Sequence, residues 1–166
     1  MDLVKYNEEE YFHFQTIGNA SQFAIPFAKY FCKGKGVDIG YCKEEWKYPG
    51  AIGADIEDID NPYHALHLPD DLDYVYSSHC LEHLPYWVKA IEYWSTRIKE
   101  GGTLFLYLPH KDQEYWRPWN NRKHLHSLDA EMVKKCMEKF NFVNIFSSKR
   151  DLNHSFIVVG EKQNEK

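Results

Sequence analysis

Four short apolar runs constrain what this chain can fold into more than any other feature. They are GVDIG at 36–40, AIGADI at 51–56, LDYVYSS at 72–78 and TLFLYL at 103–108. Each is too short for a helix, and each stops at a glycine, an acid, a small polar pair or a proline. Between the third and fourth runs the period changes. Over 86–99, Val88, Ile91, Tyr93, Trp94 and Ile98 recur at helical spacing, and Gly101-Gly102 ends that helix. The fourth run is apolar almost throughout, which suits a central strand covered on both faces. A second helix opens at Asp129 and runs to about 140, with Met132, Val133, Cys136 and Met137 inward. Two strands at 143–148 and 155–160 close the chain. They are joined too tightly for a parallel crossover, so the last strand is expected to run antiparallel. Strands alternating with helices predict an α/β fold around a mostly parallel sheet.

Upstream of the first run, residues 1–20 are polar with interspersed rings (Tyr6, Tyr11, Phe12, Phe14) and read as an arm. Ser21 is placed as the cap of a helix over 22–32, where Phe23, Phe27, Tyr30 and Phe31 recur at helical spacing and Pro26 falls early. The domain proper is assigned to 21–162, followed by a polar tail at 163–166. With 166 residues, 43% of them apolar, the chain can bury one core without staples. A net charge of −5 with no basic run disfavours nucleic acid and anionic membranes as partners. No apolar stretch approaches the ~20 residues of a membrane span, and the acidic N-terminus does not read as a secretory signal. Cys32, Cys42, Cys80 and Cys136 are isolated, which suits a reducing, cytoplasmic setting.

In open α/β sheets a ligand sits outside the carboxyl ends of the strands. Those ends are Gly40, Asp55, Ser78-His79 and Pro109-His110. The order of Asp38-Ile39-Gly40, Asp55-Ile56, Leu81-Glu82-His83-Leu84 and Gly101-Gly102-Thr103 resembles the class I S-adenosylmethionine-dependent methyltransferases. The likeness is to the type 11-like, compact form with a Leu-Glu-His-Leu signature, over residues 36–159. It implies a single-domain, Rossmann-like, mostly parallel sheet with an antiparallel last strand. The first crossover and the third-strand region are shortened. The cofactor implied is S-adenosylmethionine, held by Asp38, Gly40, Tyr41, Cys42, Asp55, Ile56, Leu66 and Ser78. Gly40 would admit the methionine part, and Asp55 would accept from the ribose hydroxyls. His64 stands where the family has an acid near the adenine, so Leu66 takes that contact. The loop departs from the family in having Cys42 and Glu44 where further glycines are expected.

The segment 109–126 is too long for a simple connection and carries rings and hydrogen-bonding side chains. It reads as the acceptor-facing loop, with Trp116, Trp119 and His124 as substrate contacts for a small polar, sugar-like molecule. His79 and His110, at strand ends, are the expected proton acceptors from an oxygen or nitrogen nucleophile. His79-Cys80-Leu81-Glu82-His83 also spells H-x-x-E-H, a zinc-peptidase pattern when helical. The strand end before it and Pro85 after it argue against a helix. His124 and His126 show no carboxylate partner in the sequence, so no metal is assigned. A second reading stays open, a degenerate module that binds the cofactor or a partner without transferring a methyl group. The aromatic arm leaves a homodimer or a protein partner open as well.

Overall fold

The computed structural model describes residues 2–55, 65–117, 119–120 and 123–163. In chain order the elements are strands β1 (Leu3–Tyr6) and β2 (Glu9–Phe12), helices α1 (His13–Thr16) and α2 (Ser21–Ala28), and strands β3 (Gly36–Ile39), β4 (Ile52–Ala54) and β5 (Leu72–Ser78). Helix α3 (Trp87–Arg97), strand β6 (Ile98–Pro109), helix α4 (Ala130–Lys139) and strands β7 (Phe142–Ser147) and β8 (Ser155–Lys162) complete it. Six strands form one sheet in the order β4-β3-β5-β6-β8-β7. The pairs β4–β3, β3–β5 and β5–β6 are parallel, while β8 runs antiparallel to both β6 and β7. The expected sheet, with one reversed strand near its end, is what forms.

The alternation of β6 divides the core. Leu104, Leu106 and Leu108 face one side, with Val75 of β5, Val37 of β3, Ile91 and Trp94 of α3 and Val133 and Met137 of α4. Phe105 and Tyr107 face the other, with Tyr74 and Tyr76 of β5, Tyr48 and the alanines Ala20, Ala24 and Ala28 around α2. Period-2 side chains on a pleated strand account for this split. Only a short 3-10 turn, Glu44–Trp46, lies between β3 and β4, so the first crossover is shortened as expected. Residues 65–68 hang from α3. The Ala65 carbonyl accepts from Trp94 Nε1 at 2.6 Å, and the Leu68 N–H donates to the Tyr93 hydroxyl at 2.9 Å. Of the shortened third-strand region, residues 56–64 lie outside the described residues, and 65–68 form no extended strand.

Several local expectations need correction. Ser21 is the first residue of α2 rather than its cap, and the cap position is held by Ala20, which has no side-chain acceptor to offer. The ring stripe of α2 faces outward, with Phe27, Tyr30 and Phe31 exposed, because the small alanine face lets the helix approach the tyrosines of the sheet. The helix ends at Ala28, so Pro26 lies in its second half, and tight turns carry the chain on to Cys32. Met132 is exposed while Val133, Cys136 and Met137 point inward, and Val88 is half-exposed on α3. Gly101-Gly102 does not end α3. The helix stops at Arg97, and the glycines form a bulge inside β6, where the partner of Leu72 is Ile98 and that of Tyr74 is Thr103.

The arm is a hairpin. Asn7 and Glu8, both at positive φ, make its two-residue turn. Tyr11 stacks on His154 with ring centroids 4.3 Å apart, and Gln15 Nε2 donates to the Asn153 carbonyl at 2.6 Å. No helix among the described residues is long and apolar enough to cross a membrane.

A Cβ at Gly102 would lie 2.6 Å from Ile98 Cγ2 and 2.9 Å from the carbonyls of Asp73 and Lys99. Gly102→Ala should therefore cost about 1–3 kcal/mol through overpacking at the bulge. The Asp129 side chain accepts from the Met132 N–H at 2.9 Å, and Asp129→Ala should cost about 1 kcal/mol as a lost cap. Urea unfolding of the two variants measures both, and a bulge that relaxes freely would leave Gly102→Ala at wild-type stability.

Candidate functional site

Parallel pairing of β4, β3, β5 and β6 brings four strand ends to one edge. Gly40 donates its N–H to the Ala54 carbonyl at 2.9 Å, and His79 donates its N–H to the Tyr107 carbonyl at 2.8 Å. Asp38, Gly40, Asp55, Ser78 and His110 thus share one edge, as their positions in the sequence imply.

On the β3–β4 side, Asp38 is buried. Its Oδ2 accepts from the Tyr48 N–H at 2.6 Å, while Oδ1 has no hydrogen-bond partner among the described residues. Burial pushes this carboxyl up to about 7, against the pull of the Tyr48 hydrogen bond and of Lys47. Gly40 has φ +79, and a Cβ there would come within 2.6 Å of Cys80 Cβ and Sγ. The Cys80 thiol thus holds the side on which a Gly40 side chain would stand. Tyr41 is buried over Gly53, where a Cβ would meet its ring at 2.4 Å. Cys42 is exposed at φ 64, and its N–H donates to Asp55 Oδ2 at 2.9 Å, so the strand-end carboxylate also shapes the loop. Ser78 is buried with its hydroxyl unpaired among the described residues. Leu66 is exposed, and Ile56 and His64 lie outside the described residues.

On the β6 side, His110 Nδ1 lies 2.6 Å from Asp112 Oδ1, and Arg150 Nε donates to the same oxygen at 3.1 Å. Burial pushes the Asp112 carboxyl up, but the His110 hydrogen bond and Arg150 outweigh it and hold the group below its usual range. His110 borders a surface cavity of about 340 Å³ that also takes in Lys111, Arg150 and Phe156. A narrower cleft beside it is lined by His110, Trp116, His124 and His126, so Trp116 and His124 do meet His110 on one side of the molecule. Trp116 stacks on His124, with centroids 5.6 Å apart. Trp119 is 70% exposed and lines neither cavity.

His79 is turned inward. Its Nε2 is 2.9 Å from Ser155 Oγ and its Nδ1 is 3.9 Å from Glu82 Oε1. Burial first, then the neighbouring His124 and His83, drives its pKa well below the ordinary value. With both ring nitrogens directed into the protein, it does not face the crevice as a base would. Glu82 is completely buried, and burial pushes its carboxyl up to about 8. His124 is pushed down to about 3, by burial and then by His83. Asp112 and Arg150 are absent from the sequence-based set, and Glu82 enters it only within the Leu-Glu-His-Leu and H-x-x-E-H patterns. The His110-x-Asp112 spacing carried a signal for the first, whereas Arg150 meets Asp112, and Glu82 meets His124, only through the fold.

A family model described as a methyltransferase domain matches residues 18–146. No curated protein matches the chain. An S-adenosylmethionine-dependent methyltransferase from Archaeoglobus fulgidus is similar in structure, with a TM-score of 0.64 at 19% identity, covering 86% of this chain and 92% of that one. An S-adenosylmethionine-dependent methyltransferase from Thermotoga maritima reaches 0.65 at 14% identity, over 90% of this chain and 93% of that one. Phosphoethanolamine N-methyltransferase 2 of Haemonchus contortus, solved with S-adenosylhomocysteine, reaches 0.65 at 11% identity, over 92% of this chain and 57% of that one. At these identities the likeness is one of fold.

The Asp38 carboxyl makes a pH prediction. Its folded value of about 7 lies above the ordinary 3.8, so between these values the folded chain holds a proton that the unfolded chain has released. Stability from this group is full below pH 3.8 and falls as pH rises to about 7, by up to about 4 kcal/mol. Asp38→Asn removes the titration. Its thermal midpoint relative to wild type should climb across that window, and a constant difference would show that Asp38 does not titrate there.

Proposed function

The chain belongs to the methyltransferase domain family, and from that premise we propose that it moves the methyl group of S-adenosylmethionine to an oxygen or nitrogen nucleophile of a small polar acceptor. The observation that carries this reading is the row of strand ends. Asp38, with a buried and partnerless Oδ1, Gly40 and Asp55 stand on adjoining parallel strands. Two carboxylates so placed suit a ligand that presents an ammonium group and vicinal hydroxyls. In this reading Asp38, Gly40, Tyr41, Cys42, Asp55, Ile56, Leu66 and Ser78 form the cofactor side. When bound, S-adenosylmethionine supplies an electrophilic sulfonium methyl group.

The chain's own contribution is position and a base. His110 donates Nδ1–H to Asp112, which leaves Nε2 to take the proton of the acceptor. Arg150 fixes Asp112 and keeps it ionised, so the imidazole holds one tautomer and orientation. Trp116 and His124 offer a stacked, polar-edged wall beside His110 for a sugar-like acceptor, with Trp119 exposed nearby in sequence. Alignment of acceptor and methyl donor would supply most of the rate. His79, turned toward Ser155 and Glu82, is left out of proton transfer.

One observation favours a second reading, a module that binds without catalysis. The Cys80 thiol stands where a Gly40 side chain would, and the Cys42 N–H is tied to Asp55. Calorimetric titration with S-adenosylmethionine and S-adenosylhomocysteine separates the two. Micromolar binding, lost in Asp55→Ala, is the expected result, and absence of binding to either compound would transfer the case to the second reading. With an acceptor found by screening small hydroxyl and amine compounds, His110→Ala should lower turnover about 100-fold or more and leave cofactor affinity unchanged. Unaltered turnover would remove His110 from the mechanism.

A further inference from the structure

We propose that Glu82, His83 and His124 form a binding site for a divalent first-row transition-metal ion of the zinc and cobalt class, with His79 as a fourth donor. The site does not depend on the methyl-transfer reading. Its centre is the Glu82 carboxylate, completely buried, with neither oxygen hydrogen-bonded among the described residues. A buried carboxylate with nothing donating to it is costly. Three imidazole nitrogens converge on one of its oxygens: His83 Nε2 and His124 Nε2 at 3.8 Å and His79 Nδ1 at 3.9 Å. The ligand atoms of Glu82, His83 and His124 all lie within 4.8 Å of one another.

The outer hydrogen bonds decide what those nitrogens present. His83 Nδ1 is 2.8 Å from the Lys123 carbonyl, which only accepts, so Nδ1 carries the proton and Nε2 turns a lone pair toward Glu82. Ser155 Oγ directs its one proton at the Asn153 carbonyl, 3.0 Å away, and so accepts from His79 Nε2. His79 Nδ1 then also turns a lone pair toward Glu82. Two imidazole lone pairs and a carboxylate face one another across distances too long for direct hydrogen bonds. Such a set of acceptors repels itself unless a proton on Glu82 or a metal cation lies between its members, and a metal cation engages all of them at once. Bonds of about 2.0–2.1 Å from a zinc-like ion to nitrogen and oxygen place neighbouring donors about 3.4 Å apart, so closing the site draws each histidine toward Glu82 by about half an ångström and the imidazoles toward each other by up to about 1.4 Å.

The surroundings are built for this. The Lys123 carbonyl that orients His83 and the Ser155 hydroxyl that orients His79 act as the outer partners a metal ligand ordinarily has. The Glu82 carbonyl also accepts from the Leu125 and His126 N–H groups, at 2.9 and 3.2 Å, which holds the 124–126 segment against the 3-10 turn at Leu81–His83. Imidazole with one carboxylate suits zinc, cobalt and their neighbours better than magnesium or calcium. Bound there, the ion would clamp the turn after β5 to the loop after β6, beside the cleft that His124 and His110 line.

The test uses the full chain, stripped with a chelator, titrated with Zn(II) by calorimetry and with Co(II) by visible absorption. The expected result is one equivalent bound at micromolar strength or tighter, with the intense Co(II) bands of a low-symmetry, nitrogen-rich site and a raised thermal midpoint. Glu82→Gln, which preserves shape, and His124→Ala should each weaken binding about 100-fold or more, since even outer partners are worth about 10–100-fold. The more exposed His83→Ala gives a third variant should either fail to fold. No saturable binding by the wild-type chain would overturn the proposal. Binding that survives in every folded variant would overturn it too, because the ion would then sit elsewhere.

Discussion

The full burial of β6 from Leu104 to Leu108 is the constraint on which the rest depends. Five consecutive apolar residues cannot be covered from one side of a pleated strand, since alternate side chains point to opposite faces. One face takes α3 and α4, and the other takes the α2 segment and Tyr48. Once β6 is central, β5 must pair with it in parallel, because the α3 connection returns the chain to the same end of the sheet. The antiparallel β8 then closes the other side. That packing sets β3, β4, β5 and β6 with their carboxyl ends together, and the candidate site is a consequence of it.

Two buried carboxylates near that edge illustrate how the fold loads an otherwise apolar body. Asp38 lies at the end of β3 with one oxygen satisfied by Tyr48 and the other unpartnered among the described residues. Glu82 lies in the turn after β5 with neither oxygen satisfied. Burial raises both, to about 7 and about 8. Groups of this kind reduce stability on their own and are retained where something outside the protein chain completes them. One faces the cofactor side of the edge in the proposed reading, and the other faces three histidines.

Much of the fold was legible because it rests on local patterns. The apolar runs mark β3 and β5 almost to the residue and the second half of β6, and Asp129 marks the start of α4 by its cap. The errors share one cause. Periodicity says that a helix has an apolar face but not which small residues a neighbouring surface demands. In α2 the large rings looked like the buried stripe, yet Ala20, Ala24 and Ala28 are what is fully buried against the tyrosines of β5, with Phe23 packed at the margin and Phe27, Tyr30 and Phe31 exposed. The glycine pair after α3 looked like a helix stop, and it became a bulge because Leu72 and Tyr74 have to meet Ile98 and Thr103 in register. Among the site residues, strand-end positions such as Gly40, Asp55 and His110 were readable, since parallel strands put such ends together. The inward rotation of His79 was not, because it depends on Ser155, 76 residues away in the chain.

The sequence by itself determined the order of strands and helices, the centrality of β6 and the set of residues at the strand ends, because apolar period and chain punctuation are local quantities. Only the tertiary structure decided which of those residues face each other. Glu82 and His124 are 42 positions apart, and no spacing rule joins them. They meet because the turn after β5 and the loop after β6 are pinned by the hydrogen bonds of the Glu82 carbonyl to Leu125 and His126. His110 and Arg150 meet for the same kind of reason, through Asp112, once β8 pairs with β6 and brings the β7–β8 turn alongside. Contacts of that kind follow from the closing of the sheet, a property of the whole packed chain that no segment of it carries alone.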